Sequence, residues 1–212
     1  MRVCLASTSP ARLMLLRQAG IEPLTVKPEV DEDAVAAEAA RRRGAELPPD
    51  ELVLLLARAK AEDVARRLSA DGDFDGVVIG GDSMFEIDGR VYGKPYTPQE
   101  ATRRWVQMRG DTGILHSGHC VYRLSSGSAP VEATAVASAS VTFASDISDA
   151  EIAAYVASGE PLHVAGAFTV DSLGGAFITR VEGDPSTVVG MSLSTIRRLV
   201  SELGVTWTDL WS

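Results

Sequence analysis

The sequence predicts an α/β fold, with a mixed, twisted sheet flanked by helices, and three observations carry that reading. Short apolar runs suited to buried strands alternate with segments whose apolar residues recur at helical spacing. Residues 113–124 and 131–143 are rich in β-branched and small apolar side chains and are joined by a turn at 125–130. They predict an antiparallel pair, which argues against a purely doubly wound parallel sheet. Finally, 212 residues at 45% hydrophobic and 23% charged suffice for one sizeable core, or for two small lobes sharing a sheet.

Residues 3–6 are an apolar strand. Ser9 then offers an N-cap and Pro10 the first helical position, Leu13, Leu16 and Ala19 share one face, and Gly20 is the stop. Residues 31–43 begin acidic and end basic, which complements a helix dipole, and residues 51–68 place Leu52, Leu55, Leu56, Ala59, Val64 and Leu68 at helical spacing. A buried strand over 76–80 is expected to end in Gly81-Asp82-Ser83, with a hairpin over 84–91 after it. Thr97-Pro98-Gln99-Glu100 and Ser148-Asp149-Ala150-Glu151 read as capping boxes at two helix starts. Short strands are predicted over 164–170 and 176–181, and a last helix carries Leu193, Ile196, Leu199, Val200 and Leu203 up to Gly204. No repeat or low-complexity tract divides the chain, so residues 1–212 read as a single domain.

Charge and cysteine content exclude several classes. A net charge of −9 argues against a general nucleic-acid surface. A small anionic substrate fits such a chain when its cations gather in one place and a metal shares the load. Residues 7–12 interrupt the first apolar run before it reaches signal-peptide length, and no stretch approaches the roughly 18 apolar residues of a membrane span. Cys4 and Cys120 each lie in an apolar strand, away from any Cys-x-x-Cys pattern, and suit a reducing cytoplasm.

Four places carry chemistry. The turn Ser7-Thr8-Ser9-Pro10-Ala11-Arg12 gathers hydroxyls, free N–H groups and a guanidinium at a helix start, where an anion is favoured; the same residues also suit a plain N-cap with a solvated arginine. Asp82 follows two glycines at the end of an apolar run, placed to hold a metal or take a proton, or to cap its own turn. Asp31, Glu32 and Asp33 offer hard oxygen ligands of the kind Mg²⁺ or Mn²⁺ prefers, or a solvated helix start. Lys94 sits on the stiff Gly93-Lys94-Pro95 turn, and Lys60 lies between Ala59 and Ala61, whose small side chains would let it reach inward although a solvated lysine is the commoner case. His116 and His119 are three apart on a strand and so point to opposite faces, which argues against a zinc pair.

The order of these motifs resembles the Maf family of nucleoside triphosphate pyrophosphatases from Val3 to Leu203. Leu5-Ala6-Ser7-Thr8-Ser9-Pro10-Ala11-Arg12 is similar to the family's Leu-Ala-Ser-x-Ser-Pro-Arg-Arg opening, and Val30-Asp31-Glu32 to its Val-Asp-Glu step. Leu56-Ala57-Arg58-Ala59-Lys60-Ala61 resembles its lysine-bearing helix, Ile79-Gly80-Gly81-Asp82-Ser83 its Gly-Ala-Asp-Thr turn, and Gly93-Lys94-Pro95 is identical to its tripeptide. His116-Ser117-Gly118, Gly159-Glu160-Pro161 and the run from Glu182 to Gly190 continue the likeness.

The resemblance implies a Maf/ITPase-like fold with two lobes around a central cleft, and cleavage of a nucleoside triphosphate to monophosphate and pyrophosphate. It implies that Ser7, Ser9, Arg12, Lys60 and Lys94 bind the substrate, that Glu32 and Asp82 hold a divalent cation, Mg²⁺ or Mn²⁺, and that Asp82 is the general base. Pyrimidine or modified nucleotides are the implied substrates; nucleic acid and membrane are not implied partners, and a homodimer in the cytoplasm fits the family. Two departures stand out: Ala11 replaces the first arginine of the usual pair, and Val170-Asp171-Ser172 stands where many members read Ile-Gln-Gly, which places Asp171 in the implied substrate pocket, where it would alter base choice or metal coordination. The alternatives are an ITPase-like enzyme for non-standard purine triphosphates, and a non-catalytic nucleotide-binding regulator of septum formation.

Overall fold

A computed structural model describes residues 1–212. The chain runs β1 (Arg2–Ala6), α1 (Pro10–Gln18), β2 (Leu24–Thr25), α2 (Glu32–Arg43), α3 (Pro49–Asp71), β3 (Gly76–Ile87), β4 (Arg90–Tyr92), α4 (Pro98–Met108), β5 (Thr112–Leu124), β6 (Val131–Phe143), α5 (Asp149–Ala157), β7 (Ile178–Glu182), α6 (Pro185–Val189) and α7 (Leu193–Glu202). The predicted α/β class with a mixed sheet is what forms: seven strands in the order β2-β1-β3-β5-β6-β7, with β4 on β3. β1 lies parallel to β2 and β3, whereas β4 and β7 run antiparallel to β3 and β6. No helix is long and apolar enough to cross a membrane.

The chain divides into two compact units. The first comprises residues 1–82, 117–137 and 190–212. In it α3 lies hard against the sheet, because the strands beneath it carry glycine where the helix backbone passes. A Cβ on Gly80 would stand 2.6 Å from the Ala57 carbonyl oxygen, and one on Gly118 would stand 2.2 Å from that of Val53. Ala57, Ala61 and Cys120 fill the contact, and Cys4, Val64, Phe74, Val78 and Leu124 extend it. Both cysteines are buried and unbridged, and burial pushes the Cys4 thiol up to about 12, so neither is a nucleophile at neutral pH.

The second unit comprises residues 83–116 and 138–189. Its core is aromatic: Trp105 meets Phe143, Tyr155 and Phe177 at centroid distances of 5.5, 5.1 and 5.5 Å, and Phe85 meets Phe168 at 5.0 Å. These tilted and edge-on contacts are the arrangement ring quadrupoles favour. The Trp105 indole N–H donates to the Ala167 carbonyl at 2.8 Å, so its one polar group is satisfied inside the core.

Three expectations need correction. Asp82 does not terminate a strand, because β3 continues through it to Ile87; both glycines before it lie within the strand, and Gly80 serves close packing against α3 rather than a turn. Residues 164–170 do not form a strand. Within them Ala165–Ala167 form a 3-10 turn, with Gly166 at φ 74° and Ala167 at φ 63°, which lets Phe168 turn into the aromatic core. Of the two expected capping boxes only Ser148 with Glu151 is reciprocal; Glu100 bonds to Arg103 and Arg104 instead of the Thr97 backbone.

Candidate active site

The first unit assembles six of the eight predicted residues. The Lys60 ammonium, with a side chain only 8% exposed, sits 2.7 Å from Asp82 Oδ1 and 2.8 Å from Glu32 Oε2. The small side chains around it on α3 and the glycine contact beneath let a long side chain reach inward, where two carboxylates compensate the desolvation of its charge. Glu32 comes from the first turn of α2, whose N-cap is Asp31; the Asp31 carboxylate accepts from the Ala34 N–H at 3.0 Å. Asp31 is thereby committed to the helix start, and Glu32 is the acid that enters the cluster.

Beside it lies the cradle at the start of α1. Ser9 caps the helix, accepting from the Arg12 N–H at 3.4 Å, and its own N–H donates to Ser7 Oγ at 3.1 Å. Arg12 is buried: its Nη1 donates to Ser7 Oγ at 3.3 Å and its Nε to the Gly190 carbonyl at 2.9 Å. Burial pushes the Arg12 guanidinium below its usual value, and the negative charges of Asp82 and Glu32 push it back up. The two carboxylates are therefore within electrostatic reach of the arginine as well as bonded to the lysine. A Cβ on Gly81 would lie 3.4 Å from Arg12 Nε, so glycine there gives the guanidinium room.

The four ionised side chains of this cluster, Arg12, Lys60, Glu32 and Asp82, cancel in charge. A polyanion placed here would bring negative charge that these residues alone leave uncompensated, and a divalent cation would restore the balance. The donors fit one. Asp82 and Glu32 already converge on a single cationic nitrogen, and both are hard oxygen ligands. No group of three or more His, Cys, Asp or Glu side chains forms a protein-only cage.

Lys94 and Asp171 belong to the second unit and are both exposed. The Lys94 turn is fixed from behind by Arg104, which donates to the Gly93 carbonyl, stacks over the Tyr92 ring at 5.2 Å and bonds Glu100 at 2.8 Å. Asp171 is carried on a loop that the sequence reading did not anticipate. Its organiser is Glu160, whose carboxylate accepts from Tyr155 at 3.0 Å, Ser172 at 2.7 Å, the Leu173 N–H at 3.2 Å, the Gly174 N–H at 3.0 Å and also from Thr169. Desolvation raises the Glu160 carboxyl, but those bonds outweigh it and hold the group down at about 2. The Gly159-Glu160-Pro161 motif was the only signal in the sequence, and nothing in it pointed to this hub. His116 bonds Glu86 at 3.0 Å and Ser138 at 3.1 Å, whereas His119 is fully buried and accepts from the Ser192 N–H at 2.9 Å, so the two histidines do not form a pair.

The family model for Maf-like proteins matches residues 2–203. A protein of Leifsonia xyli subsp. xyli named nucleoside triphosphate pyrophosphatase is 60% identical, the alignment covering 100% of this chain and 97% of that protein. Proteins of the same name from Salinispora tropica and Rhodococcus jostii are 51% and 50% identical, covering 100% and 98% of this chain and 88% and 95% of their own lengths. With that extent of match, the chain belongs to the Maf-like protein family.

Proposed function

We propose that this chain is a nucleoside triphosphate pyrophosphatase that hydrolyses an NTP or dNTP, a pyrimidine or modified nucleotide by preference, to the monophosphate and pyrophosphate. The observation that carries the proposal is the buried Lys60 held between Asp82 and Glu32, next to the Ser7–Arg12 cradle at a helix start. The names of the full-length relatives point the same way.

In this reading Ser7, Ser9 and Arg12 bind phosphate oxygens, Lys60 adds positive charge where the bridging oxygen gains negative charge, and Lys94 is a further phosphate-binding candidate. Glu32 and Asp82 would hold Mg²⁺ or Mn²⁺, which neutralises phosphate charge when bound. Asp82 is bonded to Lys60 through Oδ1 and would take a proton from water on its other oxygen. That water attacks the α-phosphorus, the bond from the α-phosphorus to the bridging oxygen breaks, and pyrophosphate leaves with the electron pair. Asp171, where the family resemblance implies an amide, would bear on base choice or metal coordination.

The test is a panel of dTTP, UTP, CTP, a modified pyrimidine triphosphate and ITP, each with added Mg²⁺ or Mn²⁺ and scored for monophosphate plus pyrophosphate. Release of diphosphate plus phosphate would overturn the bond assignment, a strong preference for ITP would overturn the pyrimidine assignment, and tight binding without turnover would make the chain a nucleotide-binding regulator.

A further inference from the structure

Of the three histidines, His119 alone is fully buried. A buried imidazole costs free energy unless its nitrogens are bonded, and its Nε2 accepts from the Ser192 N–H at 2.9 Å, a bond between residues 73 apart in the chain. The strand pattern explains the direction of the ring. Next to it on β5, Gly118 faces α3, so His119 projects from the opposite face of the sheet. There it meets the segment Gly190-Met191-Ser192, which leads into α7.

That segment also carries the main-chain partner of Arg12. Gly190, at φ 129°, has a conformation that residues with side chains rarely adopt, and its carbonyl accepts from Arg12 Nε at 2.9 Å. The arginine's contact with Ser7 Oγ is longer, at 3.3 Å, so the Gly190 carbonyl is the firmer of the two holds. A guanidinium is a rigid planar fork, and the direction of its Nε bond sets where its other donors point. Whatever fixes Gly190 therefore aims Arg12. Met191 is fully buried, and Ser192 is held twice: its Oγ accepts from the Thr195 N–H at 3.1 Å at the start of α7, and its own N–H is tied to the sheet by His119. All of these residues belong to the first unit. An apolar side chain at position 119 would fill the same space, but only an acceptor holds the Ser192 N–H.

We propose that His119 is a positioning residue for phosphate binding: by accepting from the Ser192 N–H it fixes the Gly190 carbonyl, and through that carbonyl it aims the Arg12 guanidinium. This rests on the reading of Arg12 as a phosphate-binding residue and adds the group that orients it.

The test varies the acceptor. His119→Gln brings an amide oxygen to where Nε2 stands, His119→Asn is one methylene too short to do so, and His119→Leu fills the space without an acceptor. Equilibrium binding of inorganic tripolyphosphate is measured well below each variant's Tm. Gln should bind as wild type does, and Asn and Leu about tenfold more weakly. In an Arg12→Gln background, itself weaker than wild type, His119→Leu should add no further loss, because both changes act on one contact. The Arg12 Nε–H signal in NMR spectra of the ligand-free protein reports the same link without a ligand: its exchange with solvent should be slow in wild type and Gln and faster in Asn and Leu. Should Leu fail to fold, the Gln and Asn pair carries the comparison. Wild-type affinity in Asn overturns the proposal, and so do losses that multiply in the double variant, which would make His119 a support for the fold alone. Wild-type affinity in Arg12→Gln sinks the phosphate reading and the proposal with it, and is told apart because the Nε–H signal still responds to His119.

Discussion

Replacing Lys60 by methionine removes an ammonium and keeps nearly the same apolar length. Two carboxylates lose their shared partner, but unequally: the Asp82 side chain is 12% exposed and that of Glu32 48%. Removing one member of a buried ion pair costs about 3–5 kcal/mol, and of an exposed pair about 0–1 kcal/mol. Arg12 stays within electrostatic reach of both acids and offsets part of the loss. The expected destabilisation is therefore about 2–3 kcal/mol, which in a chain of this size lowers Tm by roughly 4–7 °C. A divalent cation changes that outcome, because Lys60 and a metal compete for the same carboxylate oxygens. Thermal unfolding of wild type and Lys60→Met should be followed with chelator and with saturating Mn²⁺. Mn²⁺ should raise the variant's Tm at least about 3 °C more than that of wild type, since binding to the native state alone stabilises it. Equal melting temperatures in chelator, or identical shifts with Mn²⁺, would refute the idea that this lysine occupies a cation site made by Glu32 and Asp82.

Asp82→Asn should keep the fold and lower kcat about a hundredfold in the pyrophosphate-release assay; wild-type turnover would remove the base assignment. Gly80→Ala would bring a methyl group to 2.6 Å from the Ala57 carbonyl and 2.7 Å from the Ala61 side chain, so α3 must lift; a loss of about 1–3 kcal/mol in denaturant unfolding is expected, with reduced turnover as Lys60 moves off Asp82. Glu160 titrates near 2 in the folded protein against 4.5 for an ordinary glutamate, so its contribution is fully present above pH 4.5 and is lost as pH falls toward 2. Glu160→Gln should accordingly be less stable than wild type at pH 6, by at most about 3 kcal/mol, and the gap should close between pH 4.5 and 2; a gap independent of pH would show that the carboxylate's charge contributes nothing.

Whatever depended on neighbours along the chain could be read from the sequence. Ser9 and Ser148 cap helices where the local patterns put them, Gly204 follows the last helix, and the 31–43 segment became α2. Contacts between distant segments could not be read in this way. Arg12 is recognisable as a first-turn arginine, but its Nε partner is the Gly190 carbonyl, 178 residues away, and that bond is what turns the guanidinium inward. Residues 164–170 have the composition of a strand, yet the place of Phe168 among Phe85 and Phe143 required two consecutive left-handed residues, and packing overrode propensity.

Lys60 shows most clearly why burial cannot be judged from one segment. On its own helix it is a lysine among alanines, and a solvated side chain is the reasonable expectation. The decisive residues are Gly80 and Gly118, which lie on β3 and β5 and remove the methyl groups that would hold α3 away from the sheet. Once α3 is seated, the Lys60 side chain enters the interior, and a buried ammonium requires an anion. Asp82, two residues beyond Gly80 on the same strand, supplies it. Gly80, which the sequence suggested for turning the chain at Asp82, thus matters through close packing, and it is this packing that brings Lys60 and Asp82 to within a hydrogen bond of each other.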